Sequence, residues 1–518
     1  MVIKCIVQNA MTPSTRITSS SYAAFFFRDI GDDKHNCRLC SKLISQRSSK
    51  GFTNLMSHLI SCHPDYASLY EGSRPNAADG CAFPSYVSPA SVSLHGWMDL
   101  IVSKHMPLSM VEDPTFRKYI NLGPTSKPTI RATMNNVVLA VESKIKEQLP
   151  ERFGLVFDGW SSAGTSFCCV LATFCKDGEL HTPMLAFAPM LDEGDLSAAQ
   201  HIAFLAATLE LYGRTLNSVT FLVGDNCSVN QCMARMMGVP MVGCASHRLN
   251  LAVRQFLDKQ EATLDTIHAV MLRCRTVKNR AALRELTPLA PKLRNDTRWS
   301  STFAMVQRFF AIKDELACIA DLRSIFPSPG QIDKMQDPLA ALEVIQGFTI
   351  TLQRHDLAMN EARALLDTLV ERFSGMASYL SPHASIVSNA TFENAVVKVL
   401  DDDVGSMLEC ERAALATFEV VRSNPSPSHT SSDPSCLAME VLQAKRAKLN
   451  ERVVMDYEDL RCVLPTSNII ERLFSKAKLV YTSLRQRLTP ESLEILMFLG
   501  ANRAYWNVLT VEQVRNKQ

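Results

Sequence analysis

Strand-forming runs in this chain are crowded into one window, and the long stretch that follows carries none. GLVFD (154–158), SFCCVLATFC (166–175) and HTPMLAFAP (181–189) are β-rich runs separated by turn residues. An amphipathic helix, LSAAQHIAFLAATLELYG, comes next, then a fourth strand SVTFLVGD (218–225), a short helix CSVNQCMARMMG and a short fifth strand VPMVGC. Three adjacent strands followed by helix, strand, helix and strand predict an α/β core of the ribonuclease-H-like kind, with strands one and four side by side. From His247 to about Val463 apolar residues recur at helical spacing, as in STFAMVQRFFAIKDELACIADL and LAALEVIQGFTITLQ. A large all-α insertion is therefore predicted to interrupt the core, carrying a flexible Ser- and Pro-rich loop near 422–437.

This order of elements gives three acids a common destination. Asp158 follows GLVF directly and Asp225 follows TFLVG. A carboxylate at the end of a buried strand is costly unless it is paired or holds a metal. If strands one and four are neighbours, the two aspartates meet at one sheet end. A third acid, Glu471 in IIERLFS, lies in the first turns of the helix SNIIERLFSKAKLVYTSL, which must pack back against the sheet. The three are read as a carboxylate triad for Mg²⁺ or Mn²⁺. Two such ions roughly 3.5–4 Å apart can clamp the attacking and leaving oxygens of a phosphodiester. Taken singly, each acid reads more simply as a turn residue or a helix cap.

A second centre lies nearer the amino terminus. Cys37 and Cys40 form C-x2-C, and the helical stretch FTNLMSHLISCH supplies His58 and His63 as H-x4-H. Two thiolates from a knuckle and two imidazoles from consecutive helical turns can surround one tetrahedral Zn²⁺. Cys62 is the alternative fourth ligand. So small a module (20–70) buries little core, and zinc would supply its folding free energy. Between Arg28 and Lys50 there are six Lys or Arg and three Asp, as expected where a finger meets a phosphate backbone; a finger that binds protein, or only stiffens the chain, is the other reading. Residues 71–96 read as a linker and 97–148 as helical, ahead of the first part of the core (149–246), the insertion (247–463) and a closing segment (464–518).

Composition limits the setting. With 518 residues and 47% hydrophobic residues the chain has ample material for sizeable cores. No apolar run reaches the roughly 18 residues of a membrane span, and the first residues lack a secretory h-region, so a soluble intracellular protein is expected. The 16 cysteines are scattered, as expected of reduced thiols. The net charge of +2 says little of partners, but the local charge says more. Arg273 to Arg298 holds eight Lys or Arg against two acids, and Arg472 to Arg487 five against none. Such patches either track phosphates or are solvated helix faces.

Several motifs together resemble the hAT superfamily of DNA transposases with an amino-terminal BED-type zinc finger. They are the finger, PLSMVEDPTFRKYI, FDGWSS, GDNCSVN, CASHRLNLAV, DTRWSSTFAMVQRF and the carboxyl-terminal SNIIERLFSKAKLVYTSLRQRLTPESLEILMFLGANR. The resemblance puts Asp158, Asp225 and Glu471 on the family's catalytic positions. It puts Cys244 and His247 on a C-x2-H motif near the scissile phosphate, where the sequence offers a helix-start core cysteine as the plainer reading. It puts Trp299, beside Arg298, on a tryptophan that takes part in distorting the DNA strand. Trp160 and Trp299 can each be a stacking plate for a base or a core residue. The carboxyl-terminal helices match a dimerisation region, with Leu493, Leu496, Phe498 and Leu499 as interface candidates or as intramolecular core. Ile470 departs from the serine usual before the family's glutamate.

The leading expectation is a metal-dependent DNA transposase, acting on double-stranded DNA at element ends and target as a homodimer or larger assembly. By resemblance it forms hairpins on the flanking DNA and then joins a freed 3′-hydroxyl to target DNA. Nuclear placement follows from the substrate, with KRAK at 445–448 a weak import tract. The alternative is a transposase-derived, catalytically inactive dimeric regulator that binds DNA, and a third reading is a protein-interaction scaffold with a structural zinc.

Overall fold

The computed structural model describes residues 18–40, 42–47, 51–64, 66–67, 70, 87–162, 164–192, 194–295, 298–420, 456–481 and 488–516. The expected loop near 422–437 and the KRAK tract lie outside these residues. The chain divides into two compact units, Met1–Lys144 with Asn502–Gln518, and Ile145–Ala501. No helix among the described residues is long and apolar enough to cross a membrane.

The first unit opens with the finger. Helix Ser19–Phe26 leads into a three-stranded antiparallel sheet, β1 (Phe27–Asp29), β2 (Lys34–Cys37) and β3 (Leu43–Ser45), and helix Thr53–Cys62 closes it. Its core is small: Ala23, Phe26, Phe27, Cys37, Leu55 and Leu59, roofed by aromatic rings such as Tyr22 and Tyr66 at 4.9 Å. The next helix starts at Pro89, inside the stretch expected to be linker. Ser88 accepts the Ser91 N–H as N-cap and Pro89 occupies the first turn, where its missing N–H costs nothing. Helix Val508–Arg515 belongs to this unit, so the expected closing segment 464–518 is shared between the two units.

The second unit is built on a six-stranded sheet. Its strands are β4 (Phe153–Ser162), β5 (Thr165–Lys176), β6 (Glu179–His181), β7 (Met184–Pro189), β8 (Val219–Gly224) and β9 (Met241–Gly243), in the order β6-β5-β4-β8-β9, with β7 also on β5. β4–β5 and the outer pairs are antiparallel; β4–β8 and β8–β9 are parallel. The first and fourth predicted strands are thus neighbours. The third predicted run, HTPMLAFAP, forms β7, with its first residue, His181, ending the short strand β6; both pair with β5 on its outer edge. Phe153 to Phe157 are all buried, as a central strand covered on both faces requires.

The helical stretch is less uniform than its periodicity implies. One apolar cluster runs from Ala245 to Leu380 and includes Trp299, Phe303 and Phe309. The chain then returns to the sheet: Phe392 and Phe418 pack on Phe221 of β8 at 6.3 and 6.1 Å between ring centroids. A two-residue ladder, β10 (Glu419–Val420) with β11 (Asp456–Tyr457), corrects the expectation of a strand-free insertion. Amphipathic periodicity records that one helix face is buried and not what buries it. Helix Asn468–Val480 packs on β4 and helix Pro490–Ala501 on β7. Leu493, Leu496, Phe498 and Leu499 are at most 6% exposed within the single chain, which places them in its core.

Gly154 on β4 has a packing reason to be glycine, because a Cβ there would run into the Phe221 ring. Gly154→Ala is expected to lower stability by about 1–3 kcal/mol through overpacking, read as a shifted urea midpoint with unchanged slope.

Candidate functional site

The finger brings its four predicted ligands together. Cys37 Sγ lies 3.6 Å from His63 Nε2, and Cys40 Sγ lies 3.4 Å from His58 Nε2. All four ligand atoms are within 4.8 Å of one another. His58 and His63 are five residues apart, which on a continuous helix would set them about 140° apart around the axis. The chain leaves the helix at His63 (φ −139°, ψ 66°), and this unwinding turns the second imidazole back to the group. Burial, with the charges of His63 and Lys42, lowers the His58 pKa and keeps its imidazole neutral, as a metal ligand must be. Burial raises the Cys37 thiol, a shift that metal coordination would reverse. Cys62 is exposed and lies 3.6 Å from Ser61 Oγ, outside the group. Two thiolates and two imidazoles fit a tetrahedral Zn²⁺.

The carboxylates are arranged more loosely. Val156 pairs with Val223, so the register continues to set Asp158 level with Asp225, just beyond β8. Asp225 is held by its own helix: Asn230 Nδ2 donates to Oδ1 at 2.5 Å and the Cys227 N–H at 3.3 Å. Asp158 accepts the Gly159 N–H at 2.8 Å. Its pKa is raised to about 7, first by burial and then by the Asp225 and Glu471 charges, against the Gly159 N–H and Arg298. Glu471 does not stand free; Arg298 Nη2 donates to its carboxylate. Among the described residues the finger's four are the group gathered closely enough to hold a metal ion, and the three carboxylates are not drawn together to that degree. Hard carboxylate oxygens suit Mg²⁺ or Mn²⁺ in chemistry. Asp158 and Asp225 form the near pair, and Glu471 would join them by leaving Arg298.

The remaining predicted residues fall around this point. Cys244 follows β9 and is fully buried; it accepts the Ser467 N–H on Sγ at 3.4 Å, which ties it to the helix of Glu471. His247 is half-buried on the helix that Cys244 begins. Trp160 is 8% exposed and stacks between Phe167 (5.5 Å) and Phe474 (6.0 Å), so its ring is occupied by core neighbours. Trp299 is 4% exposed, its backbone N–H donating to Asn250 Oδ1 at 3.0 Å and its ring 6.1 Å from Phe303, and it borders a cavity of about 180 Å³. Arg254, Arg294, Asn295 and Arg298 also line that cavity. Asn230, which orients Asp225, and Asn250, which caps the Trp299 helix, went unnoticed in the sequence. Asn230 alone left a signal there, as the polar residue one helical turn into the segment after GDN.

Residues 24–64 match the BED zinc finger family, and the Cys37, Cys40, His58 and His63 group lies inside that match. No curated protein matches the sequence. Among solved structures the chain is similar to the Drosophila P element transposase strand transfer complex, at 11% identity and a TM-score of 0.32, over 87% of this chain and 98% of that one. That likeness is too loose to define the fold.

Two outcomes are expected. Cys40→Ser or His58→Ala should bring the finger's zinc content, measured by elemental analysis, to background and unfold the module, since structural zinc contributes about 10–16 kcal/mol in such peptides. The Asp158 pKa is higher in the folded than in the unfolded chain, so its contribution to stability is complete below the unfolded value and is lost as pH rises through about 7. In magnesium-free buffer, Asp158→Asn should therefore gain stability relative to the parent between pH 5 and 8, by at most about 4 kcal/mol, in urea unfolding.

Proposed function

We propose that this chain is a DNA-processing protein of the transposase type, with a BED finger that binds duplex DNA and a ribonuclease-H-like core that cuts and joins phosphodiesters. The reading rests above all on one observation: Asp158 on β4 and Asp225 just beyond the neighbouring parallel strand β8 are close enough for the Asp225 charge to add to burial in raising the Asp158 pKa. The strand order, antiparallel on one side of β4 and parallel on the other, supports the core assignment. The matched finger supports DNA as the partner. Within the class, the hAT family is the one whose motifs the sequence resembles. Action in the nucleus and pairing of two copies belong to the same proposal, with pairing through a surface other than the buried face of helix Pro490–Ala501.

In this reading Asp158, Asp225 and Glu471 would hold Mg²⁺ or Mn²⁺, which would supply electrostatic stabilisation of the charge that develops on the phosphate oxygens. The chain's own residues do the positioning. Asn230 and the Cys227 N–H fix the Asp225 carboxylate, and the Ser467–Cys244 contact sets the start of the Glu471 helix. Arg298, half-exposed beside Glu471, is available to a DNA phosphate once released.

The Arg298–Glu471 pair also favours a second reading, a DNA-binding regulator without cleavage, because it neutralises the third acid in place of a metal. The two readings separate on a labelled duplex carrying the DNA that flanks the gene, with Mg²⁺ or Mn²⁺. Cleavage is expected for the parent, and a loss of at least about 10²-fold for Asp158→Asn, Asp225→Asn and Glu471→Gln with binding retained. Equal inactivity of all four proteins, with salt-sensitive binding intact, would select the regulator.

A further inference from the structure

Cys175 lies near the end of β5, and Cys462 closes the 3₁₀ turn Leu460–Cys462 that precedes the Glu471 helix. Two bonds between partners distant in sequence lay this turn on the strand. The Thr173 hydroxyl donates to the Cys462 carbonyl at 2.8 Å in a buried setting, and Arg461 Nη2 donates to the Gly178 carbonyl at 2.7 Å. Side chains on a strand share a face at every second residue, so the Cys175 thiol stands on the same face as the Thr173 hydroxyl, about 6.6 Å further along. There it lies beside Cys462, whose thiol donates to the Asp459 carbonyl at 3.4 Å and leaves its sulfur next to that of Cys175. Both thiols are free; Cys462 is buried and Cys175 half-buried.

The chemistry of the two sulfurs is unequal. Contact with Cys462 lowers the Cys175 pKa below the ordinary thiol value, opposed by burial and the Asp459 charge and helped by Arg461. The same contact raises Cys462, with burial adding to it. The thiolate is the attacking species in exchange, so Cys175 is the sulfur that reacts first.

We propose that Cys175 and Cys462 are an oxidisable dithiol, a modification site separate from the zinc and carboxylate centres, which closes to a disulfide by exchange with a low-molecular-weight disulfide. Cys175 loses its proton to solvent and attacks one sulfur of the small disulfide, forming a mixed disulfide and expelling one small thiolate. Cys462 then gives up its proton and attacks the Cys175 sulfur, forming the internal bond and expelling the second. Two protein thiols are oxidised and one small disulfide is reduced to two thiols. The bond staples β5 to the turn that leads into the Glu471 helix and leaves the carboxylates untouched. It does not depend on whether the chain cuts DNA.

The test treats the full, zinc-loaded chain with excess glutathione disulfide and maps peptides without reduction. The expected product is a Cys175–Cys462 linked peptide lighter by two hydrogens, with a melting temperature above that of the reduced protein and full reversal by dithiothreitol. Cys462→Ser should instead retain glutathione on Cys175 and show no rise in melting temperature. The proposal is overturned if the exposed Cys318 and Cys410 are modified while Cys175 and Cys462 stay reduced. It is equally overturned if the parent protein keeps glutathione on Cys175 without closing the bond. Mapping of the parent protein decides the matter even where a serine variant folds poorly.

Discussion

The parallel pairing of β4 with β8 is the constraint on which the second unit depends. It fixes the sheet's centre, and it sets two like charges side by side at one level. The pairing is held from below by buried residues on both faces of β4 and by the Phe221 ring lying across Gly154. Burial first, and the Asp225 charge second, then favour a proton on Asp158, and the strands cannot separate to relieve this without breaking the ladder. A pKa of about 7 on Asp158 is the result.

Closing the site is a problem of long-range order, since Glu471 is brought back only after the whole helical stretch. Polar contacts to buried groups achieve this. The Ala245 N–H donates to the Pro465 carbonyl at 2.9 Å, and Asn468, 3% exposed, donates to Ser246 Oγ at 2.8 Å and to the Leu352 carbonyl at 3.0 Å. Asn468 thus joins the helix after β9, the helical cluster and the Glu471 helix. Arg248 does similar service one turn further on, donating to the carbonyls of Tyr379, Leu380 and Ser381 from a site only 2% exposed. Buried donors satisfied in this way specify one arrangement, because any other leaves them unpaired at a cost of about 1–3 kcal/mol each.

What could be read from the sequence follows from range. The strand runs and the Cys and His spacing are local patterns, and each was legible; the level placement of Asp158 and Asp225 depends on the long-range pairing of β4 with β8. The unwinding at His63 was not, because an i, i+5 pair on an assumed helix hides the change of backbone. Trp160 stayed ambiguous for a physical reason: an indole suits both a stacked base and a sheet core, and only the arrival of Phe474 from the distant helix fills its face. The same holds for Ile470, which is fully buried and so serves packing where the resembling family has a small polar residue. The Arg298–Glu471 pair joins residues with no local relation and leaves no periodic trace.

Magnitudes decide how firmly that pair holds the site in its present arrangement. Arg298 and Glu471 keep 54% and 30% of their side-chain surface exposed, and an ion pair so placed contributes about 0–1 kcal/mol. Near neutral pH the proton on Asp158 is no stronger an obstacle, since a group with a pKa of about 7 is already half ionised there. In the proposed function, a divalent cation entering between the strand ends would therefore compete with two weak interactions. In that reading this geometry is a resting one, with a guanidinium on Glu471 and a readily lost proton on Asp158. A DNA phosphate drawing Arg298 away would release Glu471 toward the two aspartates, so substrate binding and assembly of the carboxylate site would be coupled through a single side chain.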